Sequence, residues 1–319
     1  MTERRPSPEG VSAAAKRIVD HVTRTPLLPL DFEGMRVWIK AECLQQGGSF
    51  KLRGATNRLL RLDESEREVG VVAFSSGNHA QGVALAARRI GIPAVIVMPA
   101  DAPRVKRLAT EAAGATVVEY DRASESREEI GARIAAERGA VLVPSFDDVD
   151  VIEGQGSAGT EIVEQLGRAP TRVLVPCGGG GLAGGMALAL PDSEVVTVEP
   201  EGWDDMARSL AAGEILPVPD DAPPTRCDAL QTKRVSPLTF GALRDSEARG
   251  LAVSEADIAT AMAFAARHLR IVAEPGGAVA LAALLSGKAE PVEGTVVVVS
   301  GGNVDPGLYA AILQAEAAR

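Results

Sequence analysis

Short apolar runs rich in β-branched residues recur along the chain, and Ala-rich stretches of helical length separate them. Continuous apolar runs of this kind are typical of strands that are buried on both faces of a parallel sheet. The sequence therefore predicts an α/β fold, in which ligands bind beyond the carboxyl ends of the strands. The predicted strands are GVVAF (70–74), AVIVM (94–98), TVVEY (116–120), AVLV (140–143), RVLVP (172–176), EVVTV (194–198) and TVVVV (295–299).

The composition excludes several classes of partner. The 319 residues carry a formal net charge of -10 and only 3% aromatic side chains, so we expect no nucleic-acid partner and no anionic membrane surface. The polar start of the chain lacks the apolar core of a signal peptide, and no run approaches the ~20 apolar residues of a membrane span. Cys43, Cys177 and Cys227 are too few and too scattered for a disulfide scaffold or a zinc site. These features predict a cytoplasmic protein.

A glycine-rich segment, CGGGGLAGG, follows the predicted strand at 172–176. Glycines let a ligand approach the backbone, and the N–H groups at a helix start bind anions. Gly179, Gly181 and Gly184 also satisfy the dinucleotide pattern GxGxxG, with Glu199 lying 20 residues after Gly179 at the end of the next strand. A phosphate site, an NAD-dependent oxidoreductase and a glycine turn that serves packing alone are all compatible with this segment.

A second segment, SSGNHAQG, follows the predicted strand at 70–74 and precedes an Ala-rich helix. Ser75, Ser76, Asn78 and His79 supply hydroxyl, amide and imidazole groups beside the N–H groups of a helix start. This set suits a carboxylate or a phosphate. A simple helix cap would need only one of these residues.

Lys51 stands in SFKLRG, between Phe50 and a predicted helix. Most lysines are solvated surface residues. A lysine beside a helix start and a hydrophobic wall, however, has a lowered pKa and can capture a carbonyl group.

Four motifs in this order, SFKLRG, SSGNHAQ, GGGGL and SGGN, resemble those of the threonine dehydratase and serine racemase family. These are pyridoxal phosphate enzymes of the tryptophan-synthase-β fold (fold type II), and the likeness covers nearly the whole chain. It implies two domains with parallel-sheet cores and helices on both faces. Residues 1–53 and 148–319 would form the large domain, and residues 54–147 a small domain that closes over the substrate. The resemblance favours pyridoxal phosphate over a nicotinamide cofactor, and it implies a homodimer.

The same resemblance implies a role for each motif residue. Lys51 would form the Schiff base and act as the catalytic base, and Ser300 would face the pyridine nitrogen. A neutral hydroxyl at that nitrogen gives a modest electron sink, which suits elimination. The remaining cofactor contacts would be Phe50, Asn78, Gly178, Gly179, Gly180, Gly181 and Leu182, and the substrate contacts would be Ser75, Ser76, Asn78, His79 and Arg127.

The predicted reaction is β-elimination of water from L-threonine or L-serine, which gives a 2-oxo acid and ammonia. Two alternatives remain open. Ser76 matches the serine that serves serine racemases as a second acid–base, so racemisation is one. The other is a 3-hydroxyaspartate ammonia-lyase, because Arg127, Lys233 and Arg234 add cations that suit a dicarboxylate. Arg127 is equally compatible with a charge on a solvated helix.

An acidic segment, VEPEGWDDM, matches the divalent-cation site of serine racemases and related dehydratases. The resemblance implies that Glu199 and Asp205 supply carboxylates and that Trp203 supplies its backbone carbonyl. Such hard oxygen ligands suit Mg²⁺ or Ca²⁺. From composition alone, the segment reads as an acidic surface loop.

Overall fold

A computed structural model describes residues 4–75, 77–102 and 104–318 of the chain. Its strands are β1 (Leu27–Phe32), β2 (Met35–Ala41), β3 (Val71–Phe74), β4 (Ala94–Pro99), β5 (Thr116–Tyr120), β6 (Val141–Leu142), β7 (Arg172–Pro176), β8 (Glu194–Pro200), β9 (Arg249–Val253) and β10 (Thr295–Val299). Its helices are α1 (Pro8–Ile18), α2 (Lys51–Leu60), α3 (Glu64–Val69), α4 (Asn78–Ile90), α5 (Arg104–Ala112), α6 (Arg127–Arg138), α7 (Val149–Leu166), α8 (Gly181–Ala189), α9 (Asp205–Ala212), α10 (Pro237–Asp245), α11 (Glu255–Phe264), α12 (Pro275–Leu285) and α13 (Pro306–Ala317).

The strands form two sheets. A six-stranded sheet has the order β1-β2-β10-β7-β8-β9, and a four-stranded sheet has the order β5-β4-β3-β6. Every pairing is parallel except that of β1 with β2. The predicted α/β fold with parallel-sheet cores is therefore confirmed. The strands of the smaller sheet all lie inside residues 54–147, but the division into two closing domains stays a prediction.

Helices cover both faces of each sheet. In β10, Val297 and Val299 join the core that includes α11 and α12, whereas Val296 and Val298 join the core that includes α7, α8 and α10. This alternation is what a strand buried on both faces requires. In the smaller sheet, β3 packs one face on α2 and α4 and the other on α6. Among the described residues, no helix is both long and apolar enough to cross a bilayer.

A buried ionic cluster fixes α2, the helix that begins at Lys51. The Arg53 guanidinium is fully buried and pairs with Glu42 at 2.8 Å and with Glu161 on α7 at 2.7 Å. Lys40 on β2, also fully buried, pairs with the same Glu161 at 2.6 Å. A buried charge persists only when it is paired and hydrogen-bonded. These pairs therefore hold the start of α2 against the large sheet.

Candidate active site

The predicted motifs line two adjoining cavities, of which the larger has a volume of about 1100 Å³ and contains Lys51, Ser75, Asn78 and His79. Ser75 follows β3, the glycine segment follows β7 and Ser300 follows β10, so all three motifs lie beyond carboxyl ends of strands. A smaller adjoining cavity connects Lys51 with the glycine segment and Ser300. The topology therefore brings together residues that are up to 250 positions apart in the sequence.

The Lys51 amine lies where the two cavities meet. Its Nζ donates a hydrogen bond to the Ser145 carbonyl oxygen at 2.8 Å and lies 5.1 Å from the centre of the Phe50 ring. Burial lowers the pKa of the Lys51 amine from 10.5 to about 8. About one tenth of this amine is therefore neutral, and so nucleophilic, at pH 7, far more than for a solvated lysine.

The glycine segment leaves its backbone open to a ligand. Helix α8 begins at Gly181, and the residue before it, Gly180, has φ +86° and provides no side-chain cap. A Cβ on Gly179 would lie 2.3 Å from the Phe146 ring, so this position admits no side chain. Uncapped N–H groups at a helix start bind anionic oxygens. Together with Leu182, which lines the smaller cavity, the segment fits a phosphate group.

The second motif places another uncapped helix start in the larger cavity. Helix α4 begins at Asn78 after Gly77, which provides no side-chain cap. The Ser75 hydroxyl accepts from the Gly77 N–H at 3.1 Å. Burial, with Lys51 nearby, lowers the pKa of His79 to about 3, so the imidazole is neutral, and its Nε2 lies 2.9 Å from the Val143 carbonyl oxygen. Ser76 lies outside the described residues.

Phe50 and Ser300 lie side by side in the smaller cavity. The Phe50 N–H donates to the Ser300 carbonyl oxygen at 3.1 Å, which joins the start of α2 to the end of β10. The structure thus brings Ser300 to the same cavity as Lys51 and the glycine segment. A planar aromatic ring with a phosphate arm would meet an amine, a hydroxyl, a phenyl ring and a set of N–H groups there.

Several cations line the larger cavity. Arg127 begins α6, pairs with Glu128 at 2.8 Å and lies 5.7 Å from the centre of the Phe74 ring. Lys233 and Arg234 line the same cavity, are exposed and make no ion pair with any described residue. Five carboxylates also line this cavity, so Lys233 and Arg234 stand out as cations that no described acidic side chain pairs with, not as part of a uniformly positive surface.

Sequence reasoning missed four residues of the site: Ser145, Phe146, Glu274 and Asn303. Ser145 contributes a backbone carbonyl, which has no sequence signature. Phe146 covers the glycine segment from the loop between β6 and α7. Glu274 accepts from the Asn78 amide at 2.5 Å, and Asn303 donates to the Asn78 carbonyl oxygen at 2.8 Å. Asn303 stands in SGGN, whose place after a predicted strand was the available signal, whereas Glu274 had no such signal.

The three predicted metal ligands lie near one another in sequence but fit a cation only in part. Glu199 is fully buried at the end of β8, and its two oxygens accept the Met206 and Ala207 N–H groups at 3.1 and 2.8 Å. Burial raises the pKa of Glu199 well above its usual value, and it raises the pKa of Asp205 to about 7. The buried Oδ1 of Asp205 has no hydrogen-bond partner.

Two buried carboxylates with an unsatisfied oxygen call for a proton or a cation. Within the described ranges, no group of three or more His, Cys, Asp or Glu residues can hold a metal ion. The side chains thus provide two carboxylates, and the other ligands would have to be water and a backbone oxygen such as that of Trp203. Trp203 is half-buried, and its indole N–H donates to Pro223 at 2.7 Å.

The comparisons with known proteins agree with this geometry. Residues 18–302 match the family model described as pyridoxal-phosphate dependent enzyme. The chain belongs to that family. An L-threo-3-hydroxyaspartate ammonia-lyase of a Pseudomonas species is 45% identical over 313 residues, which cover 95% of this chain and 97% of that protein. An L-threonine ammonia-lyase of Thermotoga maritima is 40% identical over 93% of this chain and 75% of its own length.

A solved structure of maize serine racemase has a TM-score of 0.90 and 35% identity, with 99% of each chain covered. The resemblance inferred from the motifs, including fold type II, is thereby confirmed. The family also decides between the two cofactors that GxGxxG left open. Glu199, which a dinucleotide site would use for the ribose, is turned to backbone N–H groups instead.

Proposed function

We propose that this pyridoxal-phosphate-dependent enzyme is an ammonia-lyase that eliminates water from an L-3-hydroxy amino acid and prefers L-threo-3-hydroxyaspartate. The observation that carries the proposal is the Lys51 amine, which burial keeps partly neutral. It lies where the cavity of the glycine segment meets the larger cavity, which Lys233 and Arg234 line. The proposed reaction needs a base, a site for the cofactor phosphate and cations for the second carboxylate of the substrate. All three lie next to one another here.

The residues divide the work of binding. The N–H groups of Gly178 to Gly181 and Leu182 would hold the cofactor phosphate, Asn78 its 3′ oxygen, and Ser300 its ring nitrogen. Phe50 would pack beside the ring. When bound, pyridoxal phosphate supplies the electron sink that makes the substrate Cα–H bond acidic.

The chemistry at the substrate falls to Lys51. Its neutral amine takes the Cα proton, and the Cβ hydroxyl leaves with a proton as water. The resulting enamine hydrolyses to a 2-oxo acid and ammonia. Ser75, Ser76, His79 and the start of α4 would hold the α-carboxylate, because the N–H groups there have no side-chain cap.

Two observations support the preference for a dicarboxylate: the cations that line the cavity and the similarity to a 3-hydroxyaspartate ammonia-lyase. Lys233 and Arg234 line the cavity without an acidic partner among the described residues, and Arg127 lines it too. The first relative above carries the name L-threo-3-hydroxyaspartate ammonia-lyase. L-Serine and L-threonine, which lack a second carboxylate, would leave these cations unpaired.

Formation of 2-oxo acid and ammonia tests the proposal. The purified enzyme should be yellow, and borohydride should remove its visible absorbance and attach the cofactor to Lys51. Lys51→Ala should lower turnover by about 10³-fold or more, whereas Lys16→Ala, an exposed lysine on α1, should have no effect. Full ammonia release by Lys51→Ala, or a colourless protein that gains no absorbance with added cofactor, would refute it.

The substrate preference needs its own measurement. We expect kcat/KM for L-threo-3-hydroxyaspartate to exceed that for L-serine by about tenfold or more, which corresponds to one favourable charge-assisted contact. An equal or higher value for L-serine or L-threonine would reassign the substrate without changing the reaction.

We also infer that a divalent cation, Mg²⁺ or Ca²⁺, binds Glu199, Asp205 and the Trp203 carbonyl. The supporting observation is the unsatisfied Oδ1 of Asp205 beside a second buried carboxylate. A ligand that binds only the folded state raises the melting temperature with its concentration. Melting should therefore shift upward with Mg²⁺ in the wild type but not in Asp205→Asn. No effect of either EDTA or Mg²⁺ would contradict the site.

Racemisation is a second candidate activity, favoured by the similarity to maize serine racemase. Inversion at Cα needs an acid–base on the face opposite Lys51, and Ser76 matches that position in the sequence motif. If racemisation occurs, L-serine should yield D-serine, and Ser76→Ala should lose this activity while keeping elimination. The absence of D-serine with wild type would leave Ser76 a carboxylate ligand. A homodimer and a cytoplasmic location stay predictions.

A further inference from the structure

The last residue of the SGGN motif, Asn303, makes contacts that the proposed chemistry does not use. Its side-chain Nδ2 donates to the Gly47 carbonyl oxygen at 2.8 Å and to the Asn78 Oδ1 at 2.8 Å. It also lies 3.2 Å from the Gln81 Oε1. One amide thus joins three segments: the loop before Lys51, the first turn of α4 and the loop after β10.

The two ends of the Asn78 carboxamide make hydrogen bonds to different residues. Its Oδ1 accepts from Asn303, and its Nδ2 donates to the Glu274 Oε1 at 2.5 Å. An amide NH₂ has two N–H donors, so one donor remains at this end for a further acceptor. Asn78 is only 7% exposed and lines both cavities. Water has little access to compensate a wrongly turned amide there.

Two glycines make these contacts sterically possible. A Cβ on Gly48, whose φ is +73°, would lie 2.1 Å from the Asn303 Oδ1. A Cβ on Gly301 would lie 2.0 Å from the Glu274 Oε1 and 3.2 Å from the Asn78 Nδ2. Gly48, which precedes SFKLRG, and Gly301 of SGGN are therefore needed to bring Asn303 and Glu274 to opposite ends of the same amide.

We propose that Asn303 is a positioning residue that fixes the Asn78 carboxamide so that it presents an N–H, not its carbonyl oxygen, to the cofactor's 3′ oxygen. This inference rests on the proposed function, which places that oxygen at Asn78. The 3′ oxygen of pyridoxal phosphate is an acceptor. An amide in the opposite orientation would place two acceptors together in a buried site, and such a contact is unfavourable.

The test compares two ligands that cannot react with Lys51. Pyridoxine phosphate carries an alcohol in place of the aldehyde and keeps the 3-hydroxyl, whereas 3-deoxypyridoxine phosphate lacks that hydroxyl. Titration calorimetry of the cofactor-free enzyme gives the Kd of each, and their ratio isolates the contact at the 3′ oxygen. We expect the wild type to bind pyridoxine phosphate about tenfold more tightly than the 3-deoxy ligand.

Asn303→Asp replaces the donor with an acceptor of the same shape. The Asn78 Oδ1 would then face one carboxylate while its Nδ2 donates to another, Glu274, so neither orientation of the amide is satisfied at both ends. The amide should lose its fixed orientation, and the ratio should fall below about threefold. Asn303→Ala removes the donor without adding a charge. It should lower the ratio as well, and it tests the proposal if Asn303→Asp does not fold.

Gln81→Met is the matched control, because it removes another acceptor of Asn303 and leaves Asn78 untouched. Its ratio of the two Kd values should stay near that of the wild type.

The outcomes separate the two proposals. If the Asn303 variants bind both ligands more weakly but keep the tenfold ratio, Asn303 has a structural role only and the inference is wrong. A wild-type ratio near one would overturn it too, because Asn78 would then donate nothing to the 3′ oxygen. If the wild type binds neither phosphate ligand, the proposed function itself fails, and this inference falls with it.

Discussion

At the scale of single residues, the Lys51 amine sets a pH dependence that is open to measurement. Burial lowers its pKa from 10.5 to about 8, so the folded protein binds the Lys51 proton more weakly than the unfolded chain does. Only the neutral amine adds to a carbonyl. The rate at which cofactor-free enzyme captures pyridoxal phosphate should therefore rise about tenfold per pH unit below pH 8 and level off above it. Stopped-flow absorbance between pH 6 and pH 9.5 measures this rate.

His79 provides the internal comparison for that profile. Its pKa is lowered to about 3, so it stays neutral over the whole range and should add no second transition. His79→Gln should accordingly keep the midpoint near pH 8. A midpoint close to 10.5 in the wild type would mean that Lys51 is solvated in the free enzyme.

The residues of the site were predictable from sequence to different degrees. Lys51 and Gly179 stand in motifs whose local chemistry already indicates an amine and an anion site, and the structure brings them to adjoining cavities. The Ser145 carbonyl was not predictable, because any residue carries one and only the fold places it 2.8 Å from Lys51. Glu274 lies 196 positions from Asn78, a separation that no local pattern reports.

At the scale of elements, the junction of β7 and α8 depends on the absence of side chains. A Cβ on Gly179 would lie 2.3 Å from the Phe146 ring, so Gly179→Ala forces the ring or the loop to move. We expect this change to weaken binding of pyridoxine phosphate about tenfold or more, because the N–H groups of the segment lose their arrangement. Calorimetry of the cofactor-free enzyme measures the loss.

Gly241 on α10 is the control for that substitution. Its Cβ would meet no atom within 4 Å, and Gly-to-Ala in a helix interior stabilises by about 0.5–1 kcal/mol. Gly241→Ala should therefore raise the melting temperature slightly and leave ligand affinity unchanged. Equal affinities for the two variants would show that the glycine segment does not hold the ligand.

The position of α2 depends on Arg53. Arg53→Met leaves the fully buried Glu42 without its main partner, and breaking a buried ion pair costs about 3–5 kcal/mol. Arg133→Met removes an exposed pair with Glu137 on α6, and that change should cost less than about 0.5 kcal/mol. Urea unfolding of both variants checks the contrast. Similar losses for the two would mean that water compensates Glu42.

The seven strands predicted from apolar runs all exist, and the three strands that were missed have clear reasons. β2 contains Lys40, a buried cation that interrupts its apolar run and is compensated by Glu161 on a distant helix. β1 contains Pro29 and pairs only with β2, at the edge of the sheet. In β9, Arg249 and Gly250 interrupt the apolar pattern. These three strands form because of tertiary contacts, which the sequence pattern does not show. The buried central strands are predictable because each is a continuous apolar run.

At the scale of the whole molecule, the net charge of -10 opposes an anionic substrate. L-threo-3-Hydroxyaspartate carries one more negative charge than L-serine at neutral pH, so a preference for it must come from a local field that differs from the average. Arg122 and Arg127 at the cavity are paired with Asp101 and Glu128. Apart from Lys51, the base of the proposed reaction, this leaves Lys233 and Arg234 as the cations there without an acidic partner among the described residues.

This arrangement predicts how Lys233→Gln combined with Arg234→Gln changes specificity. The KM for L-threo-3-hydroxyaspartate should rise about tenfold or more, while kcat for both substrates and KM for L-serine stay within about twofold, because only the dicarboxylate meets these side chains. Exposed charges are screened over about 8 Å at 0.15 M salt, so added salt should raise the wild-type KM for the dicarboxylate and leave that for L-serine nearly unchanged. Arg226→Gln controls for the change in net charge. Arg226 is an exposed cation outside the cavity, and it lies 4.0 Å from Glu255. Steady-state kinetics of the wild type, the double variant and Arg226→Gln gives kcat/KM for both substrates. Equal losses of kcat/KM for the two substrates in the double variant would mean that Lys233 and Arg234 support the structure of the site and do not select the substrate.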